Sequence, residues 1–310
     1  MNPIPVVLFV YNRPEHTLKV LESLKENNVE KLYVFSDGPR LETDLQKVKK
    51  VREIVSSINW CEVEYEFSEK NRGLAESVIY GVSKVFKAGY DKLVVLEDDC
   101  VPSPDFLNFM REAFDFYEDY DNVMHISGFG LPLKKYTEPD VYFAPYPCSW
   151  GWGTWRKYWE ACDFYQYENY KSLLQNESMC RKFNYAGEAF SEFLEMQLKG
   201  QINSWLIRWY FHIFQNNGLA VWSYNSYINN KGFDGSGVHG NKIDRFNQKL
   251  ELDKDINDEK IVFEENVAVN EDLIREFRRY FMGKKLSERI KTILYLIKRK
   301  MEVKMKWGEK

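Results

Sequence analysis

The chain begins with a continuous apolar run, Val6 to Val10, which predicts a strand buried on both faces because no polar position alternates within it. The run stops at Tyr11-Asn12-Arg13-Pro14. From His16 to Glu26 the residues Leu18, Val20, Leu21 and Leu24 recur at helical spacing. Lys31 to Ser36 predicts a second strand, closed by Asp37-Gly38-Pro39. Asp44 to Ser57 reads as a helix with Val48, Val51, Ile54 and Val55 on one face. Val63 to Phe67, Leu74 to Phe86 and Lys92 to Leu96 predict strand, helix and strand. This alternation implies an α/β layer with a mainly parallel sheet and right-handed crossovers.

Further along, the pattern is less regular. His125 to Ser127 and Leu219 to Trp222 predict short strands, and Glu188 to Leu198 and Trp205 to Gln215 predict helices. The aromatic stretch Tyr142 to Trp159 carries Gly151, Gly153 and two prolines, so it predicts loops whose rings wall a pocket. Asn229 to Asn241 is glycine-rich and predicts a loop.

Composition narrows the function classes. The 310 residues are 44% hydrophobic and 29% charged, as in a globular protein. A net charge of −4 weighs against a nucleic-acid binder. The five cysteines show no C-x-x-C spacing, which argues against a structural zinc site or a disulfide scaffold. Val6 to Val10 is too short for a signal-peptide core, so a cytoplasmic setting is expected. From Met282 to Lys310, ten Lys or Arg stand against three Glu, with Ile290, Ile293, Leu294, Ile297 and Met301 at helical spacing. Such a basic amphipathic helix either lies on an anionic membrane surface or docks on its own domain with a solvated face.

In open α/β sheets, ligands bind beyond the carboxyl ends of the strands. At one such end stand Glu97, Asp98 and Asp99. Three adjacent carboxylates repel one another, so either something cationic offsets them or some stay protonated. Ser103-Pro104-Asp105 already supplies the predicted cap for the helix from Phe106, so the triplet has no structural task. Hard oxygen ligands of this kind suit Mg²⁺ or Mn²⁺ shared with substrate phosphates.

The stretches PVVLFVYNRP, VFSDG, NRGLAESV, VVLEDDCVPSPDFLNFM, SWGWGTW and GFDGSGVHG, in that order from Pro5 to Gly240, resemble those of GT-A-fold glycosyltransferases. The likeness is to the N-acetylglucosaminyltransferase I type and its bacterial relatives, which carry Glu-Asp-Asp as their version of the DXD motif. The fold it implies is a Rossmann-like nucleotide-diphospho-sugar transferase domain with a C-terminal helical extension. The implied organisation is a nucleotide-sugar half over 1–125, an acceptor half over 126–245, an extension over 246–282 and a tail helix over 283–310.

The resemblance also implies roles. Arg13 and Asp37 would contact the nucleotide base, and a carboxylate suits the imide N–H of uracil. Asn71 and Gly73 would bring backbone N–H groups to phosphate at a helix start, with Arg72 either part of the same nucleotide site or a surface charge. Asp99 would ligate the metal, with Asp98 near the ribose or metal, Glu97 near the donor sugar and His239 near the metal or diphosphate. Trp150 and Trp152, with Trp155, would frame the sugar cleft, where indole faces suit apolar sugar faces. The donor implied is a UDP-sugar, and the acceptor a glycan or lipid-linked glycan in bacterial surface polysaccharide assembly.

One departure stands out. Relatives place an acid just before the Trp205 helix, as base for an inverting transfer, but Gln201 to Leu206 contains no carboxylate. Asn203 has the shape of aspartate without its basicity. Either another acid serves, with Asp234 first and Glu195 and Glu192 after it, or the reaction is retaining, or the chain is a weakened homologue that binds without turnover. A sugar-phosphate nucleotidyltransferase would also pair carboxylates with a metal. It would, however, carry a glycine-rich phosphate loop where this chain has Tyr11-Asn12-Arg13-Pro14.

Overall fold

A computed structural model describes residues 3–234 and 260–282. His239 and the basic tail, 283–310, lie outside the described residues. Five strands and four helices alternate first: β1 (Val6–Val10), α1 (Pro14–Glu26), β2 (Lys31–Ser36), α2 (Leu45–Ser56), β3 (Glu62–Phe67), α3 (Leu74–Lys87), β4 (Lys92–Glu97), β5 (Cys100–Pro102) and α4 (Phe106–Phe116). Then come β6 (Val123–Ser127), β7 (Val141–Ala144), β8 (Trp152–Trp155), α5 (Arg156–Glu160), α6 (Tyr167–Leu174), α7 (Glu177–Phe183), α8 (Phe190–Leu198) and α9 (Trp205–Gln215). The described chain closes with β9 (Leu219–Ser223), β10 (Ile228–Asn230) and α10 (Glu271–Met282).

Eight strands form one sheet in the order β3-β2-β1-β4-β8-β6-β9-β7. The β3-β2-β1-β4 half is parallel throughout, as the alternation predicts. Beyond it, β8 runs antiparallel to both β4 and β6, while β9 runs parallel to β6. This corrects the reading of the aromatic stretch as loops. Tyr142 lies in β7, and Trp152 to Trp155 is a fully buried strand at the centre of the sheet. Gly153 permits that position, because a Cβ there would meet the Phe114 ring at 2.6 Å and the Leu93 carbonyl oxygen at 3.0 Å. Asn229 is also not loop: β10 pairs with β5 in a small antiparallel sheet, Asn230 opposite Cys100.

Strand β1 shows how the two faces divide. Val6, Leu8 and Val10 point to the side of α1, α2 and α4, packing with Val20, Leu24, Val51 and Phe106. Val7 and Phe9 point to the other side, against Ala75 and Val78 of α3 and Trp205 and Trp209 of α9. On α1 the predicted stripe is shifted: Thr17, Val20, Leu21 and Leu24 are buried, and Leu18 is 44% exposed. The extension returns to the sheet. Val262 exchanges backbone and side-chain hydrogen bonds with Asp140, and Phe277 packs edge-on against Trp222 at 5.2 Å.

Candidate active site

The carboxyl ends of β1, β2 and β4 converge, and the sharp exits from these strands place the acidic and basic side chains. Strand β1 is followed by Pro14 in the first turn of α1, which fixes the chain's turn at Arg13. From there Arg13 reaches across to β4. Its Nη1 donates to Asp99 Oδ2 at 2.8 Å, and its Nη2 bonds Asp98 Oδ1. The Tyr11 backbone N–H donates to the other Asp98 oxygen at 3.1 Å. The cation that the acidic triplet requires is therefore partly resident in the chain.

It does not balance the charge. Three carboxylates face one guanidinium paired with them among the described residues. Burial, and then the charge of Asp99, raise Glu97 well above the ordinary carboxylate range against the pull of Arg13. Asp98 is also raised by burial, with Arg13 opposing. Protonation of Glu97 relieves part of this surplus, and a divalent cation would offset the rest. Mg²⁺ and Mn²⁺ commonly need only one or two protein carboxylates, the rest of their shell being phosphate and water. Among the described residues no cluster of three His, Cys, Asp or Glu is arranged to hold a metal by itself. Asp98 and Asp99 match the number of carboxylates that an ion shared with substrate phosphates takes from a protein.

The small β5–β10 sheet brings a second segment onto Asp99. Lys231 N–H donates to the Asp99 carbonyl at 2.8 Å, and the short 3₁₀ turn Gly232–Asp234 follows. A Cβ on Gly232 would lie 2.3 Å from Asp99 Oδ2, so only glycine allows this approach. Asp234 Oδ2 stands 3.1 Å from His16 Nε2 on α1. Of the GFDGSGVHG stretch, the described portion does lie against the acidic strand end.

The Asp37 corner differs from its expected role. Its carboxylate accepts from the backbone N–H groups of Gly38, Arg72 and Gly73 at 2.9 Å each. It therefore pins the loop that leads into α3, the Gly73 N–H being the one helix-start donor it satisfies. The Gly73 N–H, expected to face phosphate, is held by Asp37 instead, as is the Arg72 N–H. Asn71 Nδ2 donates to the Gly38 carbonyl at 2.7 Å, and a Cβ on Gly38 would lie 2.6 Å from the Glu69 carbonyl oxygen. The cap predicted at Ser103 also changes. Its carbonyl accepts the Phe106 N–H at 3.1 Å, while its hydroxyl has no partner among the described residues.

The tryptophans separate. Trp150 is partly buried and meets Phe233 edge-on at 5.6 Å, beside the turn on Asp99. Trp152 is 1% exposed and stacks on Trp205 at 4.7 Å and His125 at 5.3 Å. Trp155 is likewise buried, against Phe114. These two are interior packing, not walls of a sugar cleft. Glu195 lies on α8 in an ion pair with Lys199 one turn on, and Glu192 occupies the first turn of that helix.

Asn203 has company that the sequence did not suggest. Its amide donates to Glu76 Oε1 at 3.3 Å, and its carbonyl accepts from Arg208. Arg208 also pairs with Glu76 at 3.3 Å, and the Tyr165 hydroxyl donates to Glu76 Oε2 at 2.5 Å. One signal was available in the sequence: Arg208 interrupts the otherwise apolar and aromatic run of α9, and a buried arginine needs a carboxylate partner.

The sequence pattern of the family described as Glycosyl transferase family 2 matches residues 6–186, more than half of the chain. No curated protein matches it in sequence. Among solved structures, a mannosyltransferase from Pyrobaculum calidifontis, in complex with GDP-Man and Mn²⁺, is similar at 14% identity and a TM-score of 0.38 over 52% of this chain and 46% of that one. TarS 1–349 of S. aureus is similar at 18% identity and a TM-score of 0.30 over 44% and 39%. A cytidylyltransferase from Leptospira borgpetersenii is similar at 11% identity and a TM-score of 0.32 over 52% and 65%. The chain thus spans less than half the length of the first two. Among the described residues no helix is long and apolar enough to cross a membrane.

Proposed function

The chain belongs to glycosyl transferase family 2, with a GT-A fold, and from that premise we propose that it transfers a sugar from a UDP-sugar to a hydroxyl of a glycan or lipid-linked glycan, in bacterial surface polysaccharide assembly. The observation that carries this reading is the acidic end of β4, where Glu97, Asp98 and Asp99 meet a single arginine. Asp99 and Asp98 would hold Mn²⁺ or Mg²⁺, with His239 as a further ligand. The ion would supply neutralisation of the departing diphosphate. Arg13 adds a fixed positive charge on the same side, close enough to Asp99 to meet phosphate oxygens held there. Asp37 and Asn71 build the corner for the base, and Trp150 lines the cleft next to Phe233. The basic tail, 283–310, would contact the inner membrane surface.

The test is calorimetric titration of UDP with and without Mn²⁺, together with release of UDP from a panel of UDP-sugars. Binding should strengthen at least tenfold with Mn²⁺, and the Asp98→Ala/Asp99→Ala variant should lose that gain. Equal binding with and without the ion, unaffected by the alanines, overturns the reading. A second reading, a homologue that binds donor without turnover, is favoured by Asn203 standing where an acid is expected. Metal-dependent UDP binding with no release from any sugar on the panel would establish it.

A further inference from the structure

We propose that Glu76 is the base of this transfer, supplying from α3 the carboxylate that the stretch before α9 lacks. The inference rests on the transfer reading above. Its ground is the contact between the first turn of α3 and the start of α9, where Asn203 and Arg208 both bond Glu76 Oε1. An aspartate at 203 would have placed its charge at this point. Here the charge is delivered by a neighbouring helix, and Asn203 serves as its donor.

The placement required for an in-line transfer can be compared with the faces of the sheet. In-line displacement at an anomeric carbon needs the base and the diphosphate anchor on opposite sides of that carbon. Asp234 and His16 stand on the α1 side of the sheet, beside Asp99 and hence beside the leaving diphosphate. Glu76 lies on α3, which packs with α9 on the other face of the sheet. The Asp37 bonds to Arg72 and Gly73 bring the start of α3 to the nucleotide corner, three residues before Glu76.

The local chemistry is suitable. Arg208 is 1% exposed and orients Glu76; burial alone would raise this carboxyl, but the Tyr165, Arg208 and Asn203 contacts outweigh it and hold it below the usual range, ionised and ready to accept though weakly basic. Glu76 is 37% exposed and borders a groove of about 670 Å³ lined also by Arg72, Tyr80, Lys84 and Tyr165. An acceptor can reach it there, between the partly exposed Tyr80 and Tyr165 rings, over which Arg72 and Arg208 lie at 4.3 and 5.3 Å. Oε2 accepts one hydrogen bond, from Tyr165, and has a second lone pair for the acceptor hydroxyl. In the step, the acceptor oxygen forms a bond to the anomeric carbon. The bond from that carbon to the diphosphate breaks, and its electron pair leaves with the nucleoside diphosphate. The hydroxyl proton passes to Glu76 and then to water.

The experiment uses the full chain, Mn²⁺ and the UDP-sugar from which it releases UDP, with water as the acceptor. Glu76→Gln keeps the side-chain shape and should lower kcat at least ~100-fold, the usual scale of a lost base. Its affinity for UDP with Mn²⁺ should stay within twofold. Glu76→Asp keeps a partner for Arg208 but withdraws the charge by one methylene, and should also lower kcat. The decisive variant is Glu76→Gln/Asn203→Asp, which returns a carboxylate to the same point and should recover at least tenfold of the loss. A Glu76→Gln kcat within threefold of the parent, or no recovery in the double variant, overturns the proposal. Failure of the parent chain to release UDP from any sugar overturns it together with the transfer reading, whereas loss in Glu76→Gln with UDP binding intact concerns the base alone.

Discussion

Arg13, just before α1, is bonded at once to Asp98 and Asp99, just after β4, spanning some 85 residues of sequence with one planar guanidinium. Asp98 is 3% exposed on its side chain and Arg13 15%, so neither charge is well solvated. Removing the arginine leaves Asp98 and Asp99 facing each other without it. Arg13→Ala should therefore lose about 3–5 kcal/mol of stability in urea unfolding, the scale of breaking a buried pair. Mn²⁺ should raise the melting temperature of this variant more than that of the parent, because the ion replaces the missing cation. Equal shifts would mean that the ion does not bind at these carboxylates.

Asp37 holds the start of α3 through the N–H groups of Arg72 and Gly73. Losing a helix cap costs about 1–2 kcal/mol. Asp37→Ala should show that loss in urea unfolding. It should also weaken UDP binding at least tenfold, because the corner carrying the base contact loosens with it. Unchanged UDP affinity would leave Asp37 a structural cap only.

The parallel half of the sheet was legible because its strands are buried on both faces and separated by amphipathic helices, a pattern that few alternatives fit. Position 97–99 was legible for the same reason: a charge cluster directly after an apolar strand has to be explained. Strand β8 was not legible. Gly151, Gly153 and the prolines signal turns, yet the close approach of Phe114 and Leu93 to Gly153 is a demand of packing, and nothing local in the sequence reveals it. The Glu76–Asn203 contact joins residues 127 apart, and no spacing rule connects them. The Asp37 cap was hidden likewise, since the N–H groups it serves lie on another loop.

Gly232 lies so close to Asp99 that a methyl group would meet the carboxylate at 2.3 Å. Gly232→Ala must push either the turn or the Asp99 side chain aside. The turn is at the periphery, so the melting temperature should change by no more than about 3 °C, corresponding to a shift below ~1 kcal/mol. Affinity for UDP in the presence of Mn²⁺ should fall at least tenfold, while the weaker affinity without the ion should not change. Equal losses in both conditions would place the effect on the nucleotide rather than on the metal carboxylates.

His125 makes a pH prediction that is independent of catalysis. Its Nδ1 faces the Trp209 indole N–H at 3.2 Å, and indole can only donate. Nδ1 must accept, so the ring proton is on Nε2, which donates to the Cys148 carbonyl at 3.0 Å. Burial pushes the pKa down to about 3 from the ordinary 6.5, with the Cys148 bond opposing. The unfolded chain therefore binds a proton near pH 6.5 that the folded chain refuses until about pH 3. Stability from this group is complete above 6.5 and declines as pH falls through that window, by about 1.4 kcal/mol for each unit. His125→Gln cannot titrate, and its amide can still accept from Trp209 and donate to Cys148. Urea unfolding at pH 7.5, 5.5 and about 4.5 should show the parent losing roughly 2–3 kcal/mol more than the variant across the range. Parallel pH profiles would mean that His125 is protonated in the folded chain.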